Sequence, residues 1–193
     1  MDDSIRRSVE REVKILLTQQ QYEQIRGRFQ WTAAVEQVNH YYLDREGQLR
    51  AEKVNLRVRQ IGNRYWLQVK TLVKNVKGGP SVHQETETDI DGAPDFFDSR
   101  TVKALTGVET QGARRVGALT TLRHTFSVEP EIELCLDKSD YLGVTDYELE
   151  IEYTGDRLEA VLALVEQLGL TAGEKPQGKL SRFYARWRGL EKK

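Results

Sequence analysis

The feature that most limits how this chain can fold is the alternation of charged and apolar residues along its short segments. The stretch VEREVKILL, residues 9–17, is the first example. Glu10, Glu12 and Lys14 share one parity there, and the apolar residues share the other, with Arg11 as the exception. Because successive side chains of a strand point to opposite faces, the pattern predicts a β-strand with one apolar and one charged face.

The same alternation returns in later segments of the chain. The charged positions in those segments are Arg57, Arg59, Lys70, Glu85, Glu87, Arg123, Glu131, Glu133, Asp137, Glu148, Glu150 and Glu152. The segments differ in sign, because 57–59 and residue 70 are basic whereas 10–12, 85–87, 131–137 and 148–152 are acid-rich. A water-exposed face would explain any one of these strands. It explains the whole set less well, because Glu is depleted in strands.

Helical spacing separates the strand-like segments. The predicted helices cover residues 19–29, 95–106, the stretch after Asp156 as far as Gly169, and the end of the chain after TAGEKPQG. Thr18 and Gln21 match a capping box at the first helix. Asp156 and Glu159 match a second one. With about eight strands, the pattern predicts an α+β fold with mostly antiparallel pairing.

The apolar stripes of the helices need the apolar face of the sheet to pack on. If the sheet also closes on itself, the charged face becomes the lumen of an eight-stranded antiparallel β-barrel. Such a lumen cannot serve as a packing core, so it would hold ions and a charged ligand. Clustered carboxylates bind divalent cations such as Mg²⁺ or Mn²⁺, and Arg and Lys bind phosphate. Both in one lumen predict a bound metal–polyphosphate complex.

Composition excludes several other classes of protein. The 29 basic and 30 acidic residues leave a net charge of −1, which argues against bulk nucleic-acid binding. Cys135 is the one cysteine, so no intrachain disulfide can form, which fits a reducing compartment. No apolar run approaches the length of a membrane span. We expect one domain over residues 1–193 and a cytoplasmic location, with no membrane or specific nucleic-acid partner.

The ordered set of motifs resembles the CYTH superfamily, the triphosphate tunnel metalloenzymes. Glu10-x-Glu12-x-Lys14 is similar to the family's ExExK signature. Further segments resemble family segments in the same order, over most of the chain: YYLD, LRVR, WLQVK, HQETETD, CLDKSDYLGVTDYELEIEY and KPQGKLSRFY. The resemblance implies an eight-stranded antiparallel tunnel with helices packed outside.

The resemblance also implies an activity. Metal-dependent hydrolysis of a triphosphate is the leading expectation, with inorganic, thiamine, nucleoside or RNA triphosphates as substrates. A class IV adenylyl cyclase, which makes cyclic AMP and pyrophosphate from ATP, is the alternative within the family. A non-catalytic polyphosphate- or nucleotide-binding module is the alternative outside it. We expect a monomer or a homodimer.

Individual roles follow from the resemblance. The residues expected to hold the triphosphate are Arg57, Arg59, Lys70, Arg123 and Lys179. The residues expected to bind Mg²⁺ or Mn²⁺ are Glu10, Glu12, Glu87, Asp137, Glu148 and Glu150. The predicted catalytic groups are Glu10, Glu12, Lys14, Glu148 and Glu150. One metal ion would orient the phosphate chain, and a second would activate water for in-line attack.

Three of these assignments have a rival nearby in the sequence. The pairs are Glu85 against Glu87, Arg115 against Arg123, and Lys175 against Lys179, and the second member of each is preferred. The organic end of a substrate is expected to contact loops such as 71–80 and 106–120.

Other chemically notable residues are expected to lie outside the chemistry. Cys135 would be a poor nucleophile among acids, because they raise the pKa of its thiol. His83 is expected to be an ordinary strand residue, and Asp44 a loop residue. Trp66 could line the tunnel or pack at its rim, with neither favoured. Arg11 should point outward.

Overall fold

Strands dominate the architecture. The computed structural model describes residues 5–75, 81–173 and 176–191. The strands in these ranges are β1 (Arg6–Leu17), β2 (Val35–Leu43), β3 (Val54–Ile61), β4 (Arg64–Asn75), β5 (Ser81–Ile90), β6 (Phe96–Phe97), β7 (Ala113–Glu129), β8 (Ile132–Tyr141) and β9 (Val144–Tyr153). The helices are α1 (Gln19–Arg26), α2 (Gln48–Ala51), α3 (Ser99–Thr106), α4 (Leu158–Gln167) and α5 (Lys179–Glu191).

Eight of the strands form a closed antiparallel barrel, as predicted. Their order is β2-β3-β4-β5-β1-β9-β8-β7, and pairing between β2 and β7 closes the ring. The short β6 pairs with the start of β7 at Ala113 and Arg114. The fold is therefore the α+β barrel expected from the alternation.

The strand register places the charged residues on one face. Lys14 lies opposite Glu150 in the β1–β9 pair. Tyr41 lies opposite Arg57 in the β2–β3 pair. Because directly paired residues of an antiparallel ladder share a face, the charged parity continues around the barrel and forms its lumen.

The helices cover the apolar outside of the barrel. One cluster joins α1 and α4 to β1, β8 and β9, with Ile25 and Val161 at its centre. A second joins α2 and α3 to β2, β3 and β4 through Leu49 and Val102. None of the helices in the described ranges is long and apolar enough to cross a membrane.

Helix α5 is different, because it packs at one end of the barrel. Phe183 is fully buried against Tyr41, with ring centroids 5.2 Å apart. Gly117 makes this approach possible, since a Cβ there would lie 2.8 Å from the Phe183 ring. The close packing fixes the first turn of α5 over the lumen.

Several local predictions need correction. The helix predicted over 95–106 begins at Ser99, because Asp98 accepts the cap hydrogen bond from Thr101 and residues 96–97 join β7 as a strand. The capping box at Thr18 is confirmed. The one at Asp156 is wrong, because α4 begins after Arg157 with no side-chain cap.

The expected substrate-reading loops also need correction. Residues 71–75 continue β4, and residues 113–120 belong to β7, which is 17 residues long. These stretches are part of the barrel, so they are not free to form loops around a substrate. Residues 76–80 lie outside the described ranges.

Candidate active site in the barrel lumen

The lumen contains a cavity of about 650 Å³ to which every barrel strand contributes. Helix α5 and the segment around α2 close one side of it. The predicted site residues that line it are Glu10, Glu12, Lys14, Arg57, Arg59, Lys70, Arg123, Asp137, Glu150 and Lys179. Ten of the site residues predicted from the sequence therefore lie around one cavity.

The acidic side of the lumen is centred on Asp137, Glu148 and Glu150, which we call the acid triad. Asp137 and Glu148 are direct neighbours across the β8–β9 pair, and Glu150 follows on the same face of β9. Their carboxylates come within 4.8 Å of one another, and their residues are only 0%, 1% and 5% exposed. Three carboxylates this close and this dry require cations beside them.

Basic side chains supply that compensation. Lys179, the first residue of α5, donates to Asp137 at 2.7 Å and to Glu150 at 3.1 Å, and it also donates to Glu148. Arg123 forms a two-pronged pair with Asp137 at 2.8 and 2.7 Å. The acid triad is thus held in the middle of a buried ion network.

The network decides the ionisation of its members. Burial alone would raise the pKa of Glu150, but Lys14, Lys179 and Arg123 hold it well below its usual range. Burial likewise opposes the charge of Lys179, yet the acid triad raises its pKa. Both signs of charge therefore persist in a site with little water.

The basic side of the lumen consists of Arg57, Arg59 and Lys70, which we call the basic wall. Arg57 donates to Gln68 at 2.7 Å and approaches Glu85 at 3.4 Å. Lys70 lies 3.2 Å from Glu85 and also pairs with Glu10. Arg57 and Lys70 therefore share the Glu85 carboxylate.

Arg59, the third member of the basic wall, is different. It donates to Asn39 at 3.1 Å, and it has no carboxylate within ion-pair distance in the described part of the chain. Burial, together with Arg57 and Arg123, lowers the pKa of Arg59 to about 10. The guanidinium is thus charged, confined and uncompensated, a state that an anionic ligand would relieve.

The ExExK residues lie between the two sides. Lys14 pairs with Glu150 at 2.6 Å and with Glu12 at 3.5 Å. Burial raises the pKa of Glu10, although Lys70 counteracts it. Burial acts on Glu12 too, but Lys14 outweighs it and lowers the pKa. The two glutamates are therefore unequal in proton affinity.

On β5 the cavity is lined by Glu85, the residue that sequence reasoning ranked second. Glu85 is 8% exposed, and Arg57 and Lys70 overcome its burial to lower its pKa to about 2. Glu87 lies on the same face, one strand step away. It is held by Arg6 at 2.8 Å and by Gln68, and it lies outside the set of described residues that line the cavity.

For the other two pairs of alternative residues, the preferred member lies in the acid network. Arg123 lies inside the acid network, whereas Arg115 lies on the outside and binds Asp95 and the Ala93 carbonyl. Lys179 reaches the acid triad. Its rival, residue 175, lies outside the described ranges.

Four other residues noted in the sequence lie outside the set of described residues that line the cavity. Cys135 is buried on the lumen face, and desolvation raises its thiol pKa far above the usual range. Trp66 shares the lumen parity but lies beyond the cavity under the Arg64 guanidinium, 5.0 Å from the ring centre. Asp44 caps α2 by accepting from the Gln48 amide at 2.6 Å. Arg11 faces outward beside Tyr153.

His83 lines the cavity with its Nδ1 atom 3.7 Å from Glu12. It is therefore a strand residue, as predicted, with its side chain toward the site.

Sequence reasoning missed several residues of the site. Arg182 binds Glu148 at 2.6 Å and Asp146 at 2.7 Å. Two residues of α5, Lys179 and Arg182, therefore bind the acid triad. The spacing of Lys179 and Arg182, one helical turn apart, was the signal that could have revealed it. Glu152 also lines the cavity, and burial raises its pKa to about 7.

The donor set fits the metal ions predicted from the sequence. The acid triad offers carboxylate oxygens alone, which suits Mg²⁺ or Mn²⁺ better than softer metals. A second cluster joins Cys135 to Glu133 and Glu152. Its thiol holds its proton strongly, because burial raises the pKa, so this cluster is a poorer metal site.

Comparisons with known proteins agree with the geometry. The CYTH domain model matches residues 8–184, so the chain belongs to the CYTH family. A relative from Bacillus subtilis, named "Putative triphosphatase YjbK", is 28% identical over 183 residues, which cover 91% of this chain and 94% of that protein.

Solved structures share the fold. A crystal structure of a "putative adenylate cyclase" from Bacillus halodurans has a TM-score of 0.73 and 22% identity, and the match covers 92% of this chain and 98% of that one. A Hippeastrum protein, described as a putative adenylyl cyclase with dominant triphosphatase activity, also has a TM-score of 0.73, with 20% identity over 91% of this chain and 95% of that one.

Proposed function

We propose that this protein hydrolyses a triphosphate in the barrel lumen with the help of a divalent cation. Inorganic triphosphate is the substrate class that the cavity favours. Water would add to the terminal phosphorus, the phosphoanhydride bond would break, and orthophosphate and pyrophosphate would be the products.

The observation that carries the proposal is the state of Arg59. A half-buried guanidinium without a carboxylate partner in the described ranges costs folding free energy, so its place in the lumen is best explained by an anion that binds there. Arg57 and then Lys70 extend the positive surface from Arg59 in one direction along the β3–β4 pair. A row of cations on neighbouring strands suits a chain of phosphates better than a single anion.

The opposite side of the lumen supports the metal. Asp137, Glu148 and Glu150 would hold a divalent cation, and Glu10 and Glu12 lie toward the same cavity. On β5 we assign the neighbouring acidic position to Glu85 in place of Glu87. A bound cation would supply Lewis-acid stabilisation of charge on the phosphate oxygens.

The protein's own groups would position the substrate. The basic wall would bind and align the phosphates, while Lys179 and Arg123 would neutralise charge that develops on the terminal phosphate. The dry surroundings of the acid triad strengthen these interactions, because little water competes with them.

Cyclase chemistry has less support from the cavity. A purine needs an aromatic or apolar face, and the aromatic residues that line the cavity in the described ranges are Tyr41 and Tyr184. Tyr41 is fully buried against Phe183, and Tyr184 lies beneath the Arg50 guanidinium at 4.5 Å. Neither ring offers a free face for a base.

A substrate panel tests the proposal. Orthophosphate release would be measured from inorganic triphosphate, ATP and thiamine triphosphate, each with Mg²⁺, with Mn²⁺ and with a chelator. We expect metal-dependent release that is fastest with inorganic triphosphate. Cyclic AMP and pyrophosphate from ATP would show a cyclase instead. Tight binding with no turnover would show a binding module.

A further inference from the structure

The first half of β1 has an open edge on one side. Residues 6–10 pair with β5, whereas the pairing of β1 with β9 begins only at Arg11. The backbone hydrogen bonds found in the described part of the chain give residues 6–10 no strand partner other than β5. Because alternate residues of a strand direct their N–H and C=O groups to opposite sides, part of this backbone forms an open strand edge.

The chain after β9 moves away from this edge. Tyr153, the last residue of β9, lies opposite Arg11. The next amide, that of Thr154, donates to the Glu131 carbonyl at 3.0 Å, on the side of β8. The strand that could have continued along residues 6–10 therefore ends where the open edge begins.

Side-chain exposure agrees with an open edge. Arg6, Arg7, Ser8 and Val9 are all exposed, although they lie on alternating faces of the strand, and Val9 is 56% exposed. An open edge with an exposed valine is a template on which a further strand can pair. The two arginines disfavour a basic strand as the partner, but they suit one that carries an acid at the right position.

The sequence of the edge, RRSVE, is complementary to itself in one antiparallel register. When Ser8 lies opposite Ser8 of a second copy, Arg6 of each chain lies opposite Glu10 of the other. In the same register Arg7 of each chain lies opposite Val9 of the other. Cross-strand pairs of opposite charge stabilise an antiparallel ladder, and like charges destabilise it. This register therefore gives two favourable ion pairs and no like-charge pair.

Neighbouring registers fit less well. A register centred on Val9 would place Arg7 opposite Arg11, and Arg11 is already paired with Tyr153. A register centred on Arg7 would place this arginine opposite itself. Ser8 has the smallest side chain of the three, so it is the best suited to lie opposite its own copy.

The two charged residues of the favoured register are accessible. Arg6 holds Glu87 at 2.8 Å and Asp89 at 3.4 Å, but its side chain is 54% exposed. Glu10 pairs with Lys70, and its side chain is 26% exposed. Each therefore has room for a second partner without leaving the first.

We propose that the protein forms a homodimer in which the open edges of two β1 strands pair antiparallel, with Ser8 at the two-fold axis. The strands β5-β1-β1-β5 of the two copies would then form one continuous sheet. Because one short strand from each copy carries the pairing, we expect a weak dimer with a Kd of roughly 1–100 µM. The dimer does not depend on the triphosphatase function.

Charge changes at Val9 test the register, because Val9 would lie opposite Arg7 of the second copy. Val9→Lys would create two like-charge pairs and should weaken dimerisation about tenfold, measured by analytical ultracentrifugation. Val9→Glu would create two pairs of opposite charge and should strengthen it by a similar factor. Arg7→Glu should restore the dimer when added to Val9→Lys. Val73→Lys, at a similarly exposed valine of β4, is the control and should leave the Kd unchanged.

A disulfide tests the position of the axis. Residues directly opposite in an antiparallel pair have Cα atoms about 4.5–5.5 Å apart, which a disulfide can span. Ser8→Cys should therefore give a cross-linked dimer under mild oxidation. Val9→Cys should cross-link far less, because the two copies of residue 9 would be diagonal neighbours about 7–8 Å apart. The native Cys135 is buried and should not contribute.

The outcomes separate this dimer from other arrangements. A protein that stays monomeric up to about 1 mM would overturn the proposal. A dimer that responds in the same way to Val9→Lys and to Val9→Glu would have its interface elsewhere, which would also overturn it. Equal cross-linking through Ser8→Cys and Val9→Cys would contradict the register.

Discussion

The acid triad and the basic wall face each other across one lumen, but they differ in how completely the protein compensates their charges. Each carboxylate of the acid triad contacts at least one Lys or Arg. In the basic wall, Arg57 and Lys70 have carboxylate partners, whereas the contact of Arg59 within the described ranges is a neutral amide, and its pKa is lowered. We therefore expect the acidic side to help keep the barrel folded, and we propose that Arg59 binds a ligand at some cost in stability.

The largest expected effect on stability follows from removing one carboxylate of the acid triad. Glu150→Gln would leave Lys14, Lys179 and Arg123 with too few carboxylates in a buried site. We expect the free energy of unfolding of the metal-free protein to fall by about 3 kcal/mol, measured by urea denaturation at neutral pH. Triphosphate hydrolysis should be lost as well.

The exposed Glu131, between β8 and its neighbour β7, gives a control for this change. Glu131→Gln should alter stability by less than about 0.5 kcal/mol. If Glu150→Gln were equally mild, the acid network would not stabilise the fold.

A substitution of Arg59 should change the stability of the metal-free protein in the opposite direction. Arg59→Met removes a confined charge, so we expect the metal-free protein to gain about 1 kcal/mol, seen as a rise of about 2–4 °C in Tm. The same change should lower kcat/KM for triphosphate on the order of 10²-fold or more, because a phosphate contact is lost.

Arg123→Met is the matched comparison, since Arg123 is a lumen arginine with carboxylate partners. It should lose both activity and stability. A drop in Tm for Arg59→Met as large as for Arg123→Met would show that the two arginines do not differ.

A smaller effect is expected on metal binding, because Lys179 and a metal ion would compete for the carboxylates of the acid triad. The Lys179 amino group lies among the oxygens of the acid triad, so a divalent cation has to displace or share it. We expect Lys179→Met to bind Mn²⁺ about tenfold more tightly without phosphate, measured by calorimetry or by electron paramagnetic resonance. Weaker Mn²⁺ binding would mean that Lys179 supports the metal site.

The smallest expected effect is a pH dependence from Glu152. Burial raises its pKa to about 7, above the usual value of 4.5, so its ionisation destabilises the folded state. That destabilisation is present above pH 7 and fades as the pH falls toward 4.5. Glu152→Gln should therefore raise Tm at pH 8, by about 2–4 °C, and much less at pH 5. A difference that does not change with pH would contradict this assignment.

The barrel could be predicted from the sequence, because the alternation that marks its strands is a local pattern. Strand alternation identified the lumen face, and closure followed from helices that need the other face. The boundaries of α2 and β7 were harder. Helix α2 has only four residues and is capped by Asp44 from a loop, and β7 continues through glycine at residue 117.

The depth of a residue in the lumen could not be predicted from the sequence. Glu85 and Glu87 have the same parity, so only the register separates them, since Ser8 lies opposite Glu85 and Arg6 opposite Glu87. The pairing of Arg6 with Glu87 then keeps that carboxylate from the cavity. Contacts such as that of Arg182 with Glu148 depend on where α5 docks, which periodicity does not encode.

The most direct test of the account is a crystal structure of the protein with inorganic triphosphate and Mn²⁺, in which anomalous scattering locates the metal. We predict Mn²⁺ bound by Asp137, Glu148 and Glu150, and phosphate oxygens bound to Arg57, Arg59 and Lys70. A triphosphate bound outside the lumen, or one in the lumen that leaves Arg59 without a phosphate contact, would contradict the account.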